Sequence, residues 1–517
     1  LKQLVIKIVP SIQLVIYEPS LNVFFKVIEN IDLSFLFEDR IPALIVDGLN
    51  GEEKKAILEK LVTLANIEFI KHYENRSCAA LFSAQVIDFM KLLGKTVEDV
   101  IVGRNTGIRY SAVEMDNLFH NIKYLCEGSI TTQLCDIIPT DIPAIIVSAG
   151  PSLNKNIMEL KGAKNKAFIV AVDTAVRPLV NAGIIPDMYV IVDGLKPKEL
   201  LDFDEAKRIP LMPSITSTKE ILENHTGKKI FWFEGQRFIW SMMMMNGVPF
   251  STVACGGSVA CSAFSLVYKL GFSRIILVGQ DLALTGNKTH ADGTFKSIMD
   301  EIDTSRCIKV PGNYEEEVPT RGDFKLYLDW FNYYIKGCEG IHVINATEGG
   351  AKIDNTEIMT LHDAIMRECI KEVDIDACFE KLKPIFNAEQ QHKALEYLKT
   401  FPEMYRKLKK KVIKLNKEYQ KLKTICGKSI IDKNAYLKAL KNIKNLTQEI
   451  ENHELYDTIS CTLTVANYII ESEQFYEEDT VAAEGLQIAK QGIAYTKMVE
   501  QCIDLFMPLT EETLLTL

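Results

Sequence analysis

The sequence predicts a three-part α/β protein: a central Rossmann-like domain on a mainly parallel sheet, an α/β domain before it and an all-α helical bundle after it. Three observations carry this reading. Apolar runs alternate with helical periodicity between about residues 140 and 345. Those runs show no polar alternation, as expected of strands covered on both faces. Beyond residue 354 only the helical period remains. The domain boundaries are placed at 1–139, 140–353 and 354–517.

In the first domain, residues 12–17 (IQLVIY) and 43–46 (ALIV) read as short buried strands. Residues 50–65 read as an amphipathic helix with Ile57, Leu58, Leu61 and Leu64 on one face. Residues 82–93 and 112–125 read as two further helices. The chain starts at Leu1 rather than Met, so the expectation is a domain truncated at its start.

The central domain supplies six expected strands: residues 144–147 (AIIV), 168–172 (FIVAV), 188–192 (MYVIV), 230–233 (IFWF), 274–278 (RIILV) and 341–344 (IHVI). Parallel sheets of this kind bind ligands beyond the carboxyl ends of their strands. The residues that follow each run are therefore the candidates for chemistry. Residues 238–268 carry no charge and include four consecutive methionines, Met242 to Met245, but Asn246, Gly247, Pro249, Gly256 and Gly257 interrupt them. A buried strand–turn–helix is expected there, not a membrane span.

In the last domain Met404, Leu408, Val412, Leu415, Tyr419, Leu422 and Cys426 recur at steps of three or four. Residues 401–426 hold nine Lys/Arg against two Glu, and residues 449–517 hold fourteen Asp/Glu against two Lys. Basic and acidic helices that pair within one bundle explain this, and so does a surface that docks a partner or a second copy of the chain.

Composition narrows the function classes. With 517 residues, 47% hydrophobic and 25% charged, the chain is neither disordered nor a disulfide miniprotein. A net charge of −10 argues against nucleic acid as a partner. The 12 cysteines form no C-x-x-C pair, which fits a reducing compartment and gives no zinc signature.

Six turns in the central domain are polar or Gly-rich. After the first central run comes Ser148-Ala149-Gly150-Pro151-Ser152-Leu153, where Gly150 permits a close approach and Ser152 can cap a helix. Such a helix start favours an anion such as phosphate. Asp173-Thr174 and Asp193-Gly194 end the next two runs, and acids there can hold a ribose, an imidazole or a metal. Cys255-Gly256-Gly257-Ser258 forms a second Gly-rich turn, with Ser258 as a helix cap. It is neither a G-x-G-x-x-G fingerprint nor a P-loop. Gly279-Gln280-Asp281 leads into a polar loop holding Thr289, His290 and Asp292, and Asn345 opens one more polar turn. A histidine on such a loop is a candidate general base or phosphate partner, with Asp281 placed to orient it or the ligand.

In this order, SAGPSL, the Asp173-Thr174-Ala175 element, PDMYVIVDG, CGGSVA and VGQDLALTGNKTHADG resemble the motility-associated factor (Maf) glycosyltransferases, grouped with the 6-hydroxymethylpterin diphosphokinase MptE-like proteins. NATEGGAKI and the upstream VIYEPS extend the resemblance. It implies a bacterial sialyltransferase-like central domain. It also implies a cytoplasmic enzyme that transfers a nonulosonic acid, of pseudaminic or legionaminic type, from a CMP-sugar to Ser or Thr of flagellin. By position, Gly150, Pro151, Ser152 and Leu153 would lie by the CMP phosphate or ribose. Asp173 and Asp193 would line the nucleotide pocket, and Gly256, Gly257 and Ser258 would hold the cytidine or phosphate. Thr174, Gln280, Thr289 and Asn345 complete the expected binding set, and His290, Asp281 and Asp193 the catalytic one. Such a transfer requires no cofactor, although Asp193 and Asp281 can hold Mg²⁺. Two other readings stand beside this one: an ATP- and Mg²⁺-dependent pterin diphosphokinase, and a non-catalytic flagellin-binding scaffold.

Overall fold

The structure, a computed structural model, describes residues 13–37, 41–63, 66–233, 235–295, 304, 307–460, 463 and 480–516. Ile12 of the first expected strand, Leu64 and Ala65 of the first expected helix, and residues 461–462 and 464–479 within the acidic stretch 449–517 lie outside the described residues. The chain forms two compact units that are not contiguous in sequence. One comprises Leu1–Ser111 with Arg406–Leu505, the other Ala112–Tyr405 with Phe506–Leu517.

In the first unit, β1 (Val15–Glu18) pairs in parallel with β2 (Ala43–Val46). Tyr17 stacks on Phe89 at 4.2 Å between ring centroids and donates to the Asp47 carboxylate. Residues 50–65 yield a shorter helix than expected, Lys54–Leu61. The two helices expected at 82–93 and 112–125 are one continuous helix, Ser83–Glu127. Gly94 and Gly103 lower helix propensity by about 1 kcal/mol each, but no proline falls between them to stop the chain. The helix Phe401–Cys426 buries Leu408, Val412, Leu415, Leu422 and Cys426. Its basic side chains meet acids within the unit: Lys409 reaches Asp504 at 2.7 Å and Lys411 reaches Glu449 at 3.1 Å. Intramolecular pairing thus accounts for part of the segregated charge.

The second unit holds β3 (Ser129–Ile130), β4 (Ala144–Val147), β5 (Phe168–Val172), β6 (Met188–Ile191), β7 (Leu211–Pro213), β8 (Ile230–Phe231), β9 (Arg274–Val278), β10 (Ile308–Pro311), β11 (Glu317–Thr320), β12 (His342–Asn345) and β13 (Glu357–Ile358). Seven strands form one parallel sheet in the order β13-β12-β9-β4-β5-β6-β7. The four residues of β4 and the five of β5 are all buried, so neither face of the central strands meets water. This is why their sequences show no alternation.

Several expectations need correction. Residues 230–233 do not form a full strand of this sheet. Only Ile230–Phe231 is a strand, paired with β3, and isolated bridges from Lys229 to Leu211 and from Trp232 to Ser214 tie it to β7. The chain at 238 is helical, not a strand: Arg237–Met245 buries Phe238, Ile239, Met242 and Met243, a helical spacing that four flexible methionines fit well. β7, β13 and the antiparallel β10–β11 hairpin were not legible, since each is short and two of them contain proline. Among the described residues, no helix is long and apolar enough to cross a membrane.

Candidate active site

All seven strands run the same way, so their carboxyl ends share one edge. From β4 the chain proceeds through β5 and β6 to β7 on one side, then returns to β9, β12 and β13 on the other. The order reverses between β4 and β9, and a crevice at such a switch point is the expected ligand position.

Here the structure places an internal brace. The Ser148 amide donates to the Val278 carbonyl and the Gly150 amide to the Gly279 carbonyl, each at 2.8 Å. Ser148 Oγ donates to Gln280 Oε1 at 2.5 Å. Asp281 accepts from the Ser152 amide at 3.1 Å and from Ser152 Oγ at 2.6 Å. Burial pushes the Asp281 carboxyl above the usual carboxylate range, while the bonds from Ser152 pull it back. Behind it, the Gln280 amide donates to Thr347 Oγ1, the Thr347 amide to Asn345 Oδ1, and Asn345 Nδ2 to Asn313 Oδ1. The Ala351 amide closes onto the Asp281 carbonyl at 2.7 Å.

This brace changes three expected roles. Ser152 does not cap the following helix, Leu153–Asn156, with its own side chain. The Asp281 carboxylate instead holds the Ser152 amide, the position expected to receive a phosphate. Asp281 is 2% exposed and stands behind the turn, bonded to Ser152. Gln280 and Asn345 are buried links of the same brace. Gly150 is needed because a Cβ there would lie 2.1 Å from Asp281 Oδ1 and 2.5 Å from the Gly279 carbonyl. Pro151 is buried beside it.

The loop after Asp281 turns back over the β4 turn. Leu282 holds a positive φ of 50°, rare for a branched residue. The Ala291 amide donates to the Ala149 carbonyl at 2.8 Å, and the Asp292 amide to Asn154 Oδ1 at 3.0 Å. His290 therefore sits one residue from a bond to the switch-point turn. It is half-buried, with Nδ1 2.9 Å from Thr289 Oγ1.

Across β4 the strand ends carry charge. The Asp173 Oδ1 atom accepts from the Thr174 amide at 2.7 Å and from Thr174 Oγ1 at 3.0 Å, and Asp173 Oδ2 lies 3.0 Å from Lys196 Nζ. Asp193 is half-buried. Its Oδ1 accepts from the Leu195 amide at 2.8 Å, and its carbonyl accepts from Thr218. The two acids that could have shared a metal, Asp193 and Asp281, follow different strands, β6 and β9. Among the described residues no three His, Cys, Asp or Glu side chains gather as a metal site.

Sequence reasoning missed three residues here. Asn117 and Asn121, one helical turn apart on Ser83–Glu127, donate into the loops after β6 and β7. Asn117 Nδ2 reaches the carbonyls of Gly194 and Thr216, and Asn121 Nδ2 those of Ile215 and Ser217, at 2.8–3.1 Å. Two asparagines on the apolar face of a helix were the available signal. The third is Lys196, three residues beyond Asp193.

What the structure sets against Gly256 and Gly257 is the helix Gly322–Gly337. A Cβ on Gly256 would lie 2.5 Å from Trp330 Cδ2, and one on Gly257, at φ +81°, 3.0 Å from Tyr327 Cε1. Aromatic packing explains these glycines without a phosphate. Ser258 caps Val259–Lys269 as expected, accepting from the Cys261 amide at 3.3 Å.

Residues 116–287 match the model of the family described as 6-hydroxymethylpterin diphosphokinase MptE-like. That span runs from the asparagine pair to the loop after Asp281. An uncharacterized protein of Treponema pallidum (strain Nichols) is 24% identical over 144 residues, which is 28% of this chain and 67% of the relative. The fold is similar to that of the Maf glycosyltransferase from Magnetospirillum magneticum AMB-1, with a TM-score of 0.60 and 15% identity over 97% of this chain and 75% of that one. The Maf and MptE-like resemblance carried by the motifs is borne out by these two independent matches.

Proposed function

We propose that the chain is a glycosyltransferase that moves a nonulosonic acid, of pseudaminic or legionaminic type, from its CMP conjugate to Ser or Thr of flagellin. The observation that supports this most is the fold shared with a Maf glycosyltransferase over 97% of the chain. In such a transfer the acceptor oxygen bonds to the anomeric carbon. The bond from that carbon to the phosphate oxygen breaks, its electron pair stays on CMP, and the acceptor proton goes to a base. His290, held beside the switch-point turn through Ala291, is the proposed base. The leaving phosphate carries negative charge that fixed donors or cations must meet. On this reading the reaction needs no metal, and transfer persists in EDTA. Both the donor and unassembled flagellin place it in the cytoplasm.

The test is to incubate the purified protein with flagellin and CMP-nonulosonates and weigh the flagellin. The expected result is a gain of whole sugar masses, lowered on the order of 10²–10⁴-fold by His290→Ala. No gain with any donor, together with no binding of CMP, overturns the reading. The match to an MptE-like family model favours a second reading, pyrophosphoryl transfer from ATP to a hydroxymethyl-pterin. AMP formation from those substrates with Mg²⁺ would establish it.

A further inference from the structure

We propose that Lys196 is the cation that meets the donor phosphate, with Asp173 as the residue that positions it. This rests on the CMP-sugar reading above. The starting point is the brace. Asp281 already occupies the Ser152 amide and hydroxyl, so an incoming phosphate needs a positive partner elsewhere on the edge.

The register locates one. Val147 of β4 pairs with Ala171 of β5, so Ala149 and Asp173 each lie two residues past that rung, just beyond the ends of neighbouring strands. Ala149 is the residue to which the His290 loop is bonded. Asp173 is the residue to which Lys196 returns from the end of β6, at 3.0 Å. The ammonium thus stands over the end of β5, one strand from the turn that the His290 loop covers. The His290 loop and Lys196 are thus bonded at neighbouring strand ends, β4 and β5.

The pair is built to hold a charge in place. Asp173 is 2% exposed and fixed by both the amide and hydroxyl of Thr174. The Lys196 side chain is 16% exposed, so the pair is less enclosed on its lysine side than on its aspartate side. A buried ion pair contributes little net stability, because desolvation offsets the Coulomb gain. Two apolar residues would join these loops as well, but would leave no cation at the edge. A lysine ammonium has three N–H donors and can keep Asp173 while bonding a phosphate oxygen. No bond is made or broken in this step.

The experiment is calorimetric titration of CMP and of cytidine into the wild type, Lys196→Met and Lys196→Arg. The wild type should bind CMP more tightly than cytidine. Lys196→Met should lose CMP affinity by about tenfold or more, the scale of a charge-assisted hydrogen bond, with cytidine affinity unchanged and Lys196→Arg in between. Wild type that binds neither ligand overturns the CMP-donor reading and this assignment with it. Wild type that binds CMP, with the same preference over cytidine in Lys196→Met, overturns the Lys196 assignment alone. Amine acetylation of the wild type, read by mass spectrometry, gives a test that needs no variant. CMP, but not cytidine, should slow labelling of Lys196 several-fold; equal labelling with both overturns the assignment.

Discussion

The two sides of β4 are built from the same kind of strand end and put to different use. Toward β9 and β12, the side chains of Ser152, Gln280, Asp281 and Asn345 are buried and bonded to another loop. Toward β5 and β6, Asp173 and Asp193 organise backbone locally, and a partly exposed lysine is held between the strand ends. One side is a brace and the other presents charge. The lesson is that a Gly-rich turn at a helix start is not by itself an anion site, because the protein can supply the anion.

The sharpest way to break this contrast is Gly150→Ala. Its Cβ would meet Asp281 Oδ1 at 2.1 Å and backbone at 2.5 Å, and backbone cannot swing aside as a flexible side chain can. The expected loss is about 3 kcal/mol or more, read by urea unfolding. A variant as stable as the wild type would mean that the brace opens freely. On the other side, Asn121→Ala leaves the buried Ile215 and Ser217 carbonyls without their donor. A loss of about 1–3 kcal/mol is expected, with faster hydrogen exchange in the loop after β7; unchanged exchange there would show that the asparagine does not hold that loop.

The brace also has a pH signature. Burial raises the native Asp281 carboxyl above its unfolded value near ~3.9. Between those two values the native state binds more protons than the unfolded one, so stability falls as pH rises through the window. Asp281→Asn should remove that part of the slope, measured as wild type minus variant in melting temperature from pH 3 upward on the order of several units. The subtraction matters because Asp187, also buried and raised, contributes a slope of the same sign in both proteins. Parallel curves would show that Asp281 titrates normally.

How much could be read from sequence divides along the same line. β4, β5 and β9 were legible to the residue, because strands buried on both faces need continuous apolar runs. β7 was not, since Leu211–Pro213 is three residues long and ends in proline. The strand-end turns were legible as candidates because glycine, serine and aspartate cluster there. Their assignment was not, because sequence cannot tell whether Asp281 faces a ligand or Ser152. The Asn117 and Asn121 contacts join residues 77 to 99 positions apart, which no local pattern encodes.

The smallest effect tests whether charge alone or its placement matters. Lys409 pairs with Asp504 at 2.7 Å, at least as short as the Lys196–Asp173 contact, but its acid is 51% exposed where Asp173 is 2%. Water screens the Lys409 pair, so Lys409→Ala should cost only about 0.2–1 kcal/mol, and less at high salt. It should leave CMP affinity untouched. Lys196→Met leaves the buried Asp173 carboxylate without its counter-ion, so it should cost about 3–5 kcal/mol of stability, and it should also weaken CMP binding. Two lysines of similar ion-pair length would then separate both by melting temperature and by ligand affinity. If Lys409→Ala weakened CMP binding as much as Lys196→Met does, the effect would belong to the protein's net charge, and the contrast between braced and charged strand ends would lose its functional meaning.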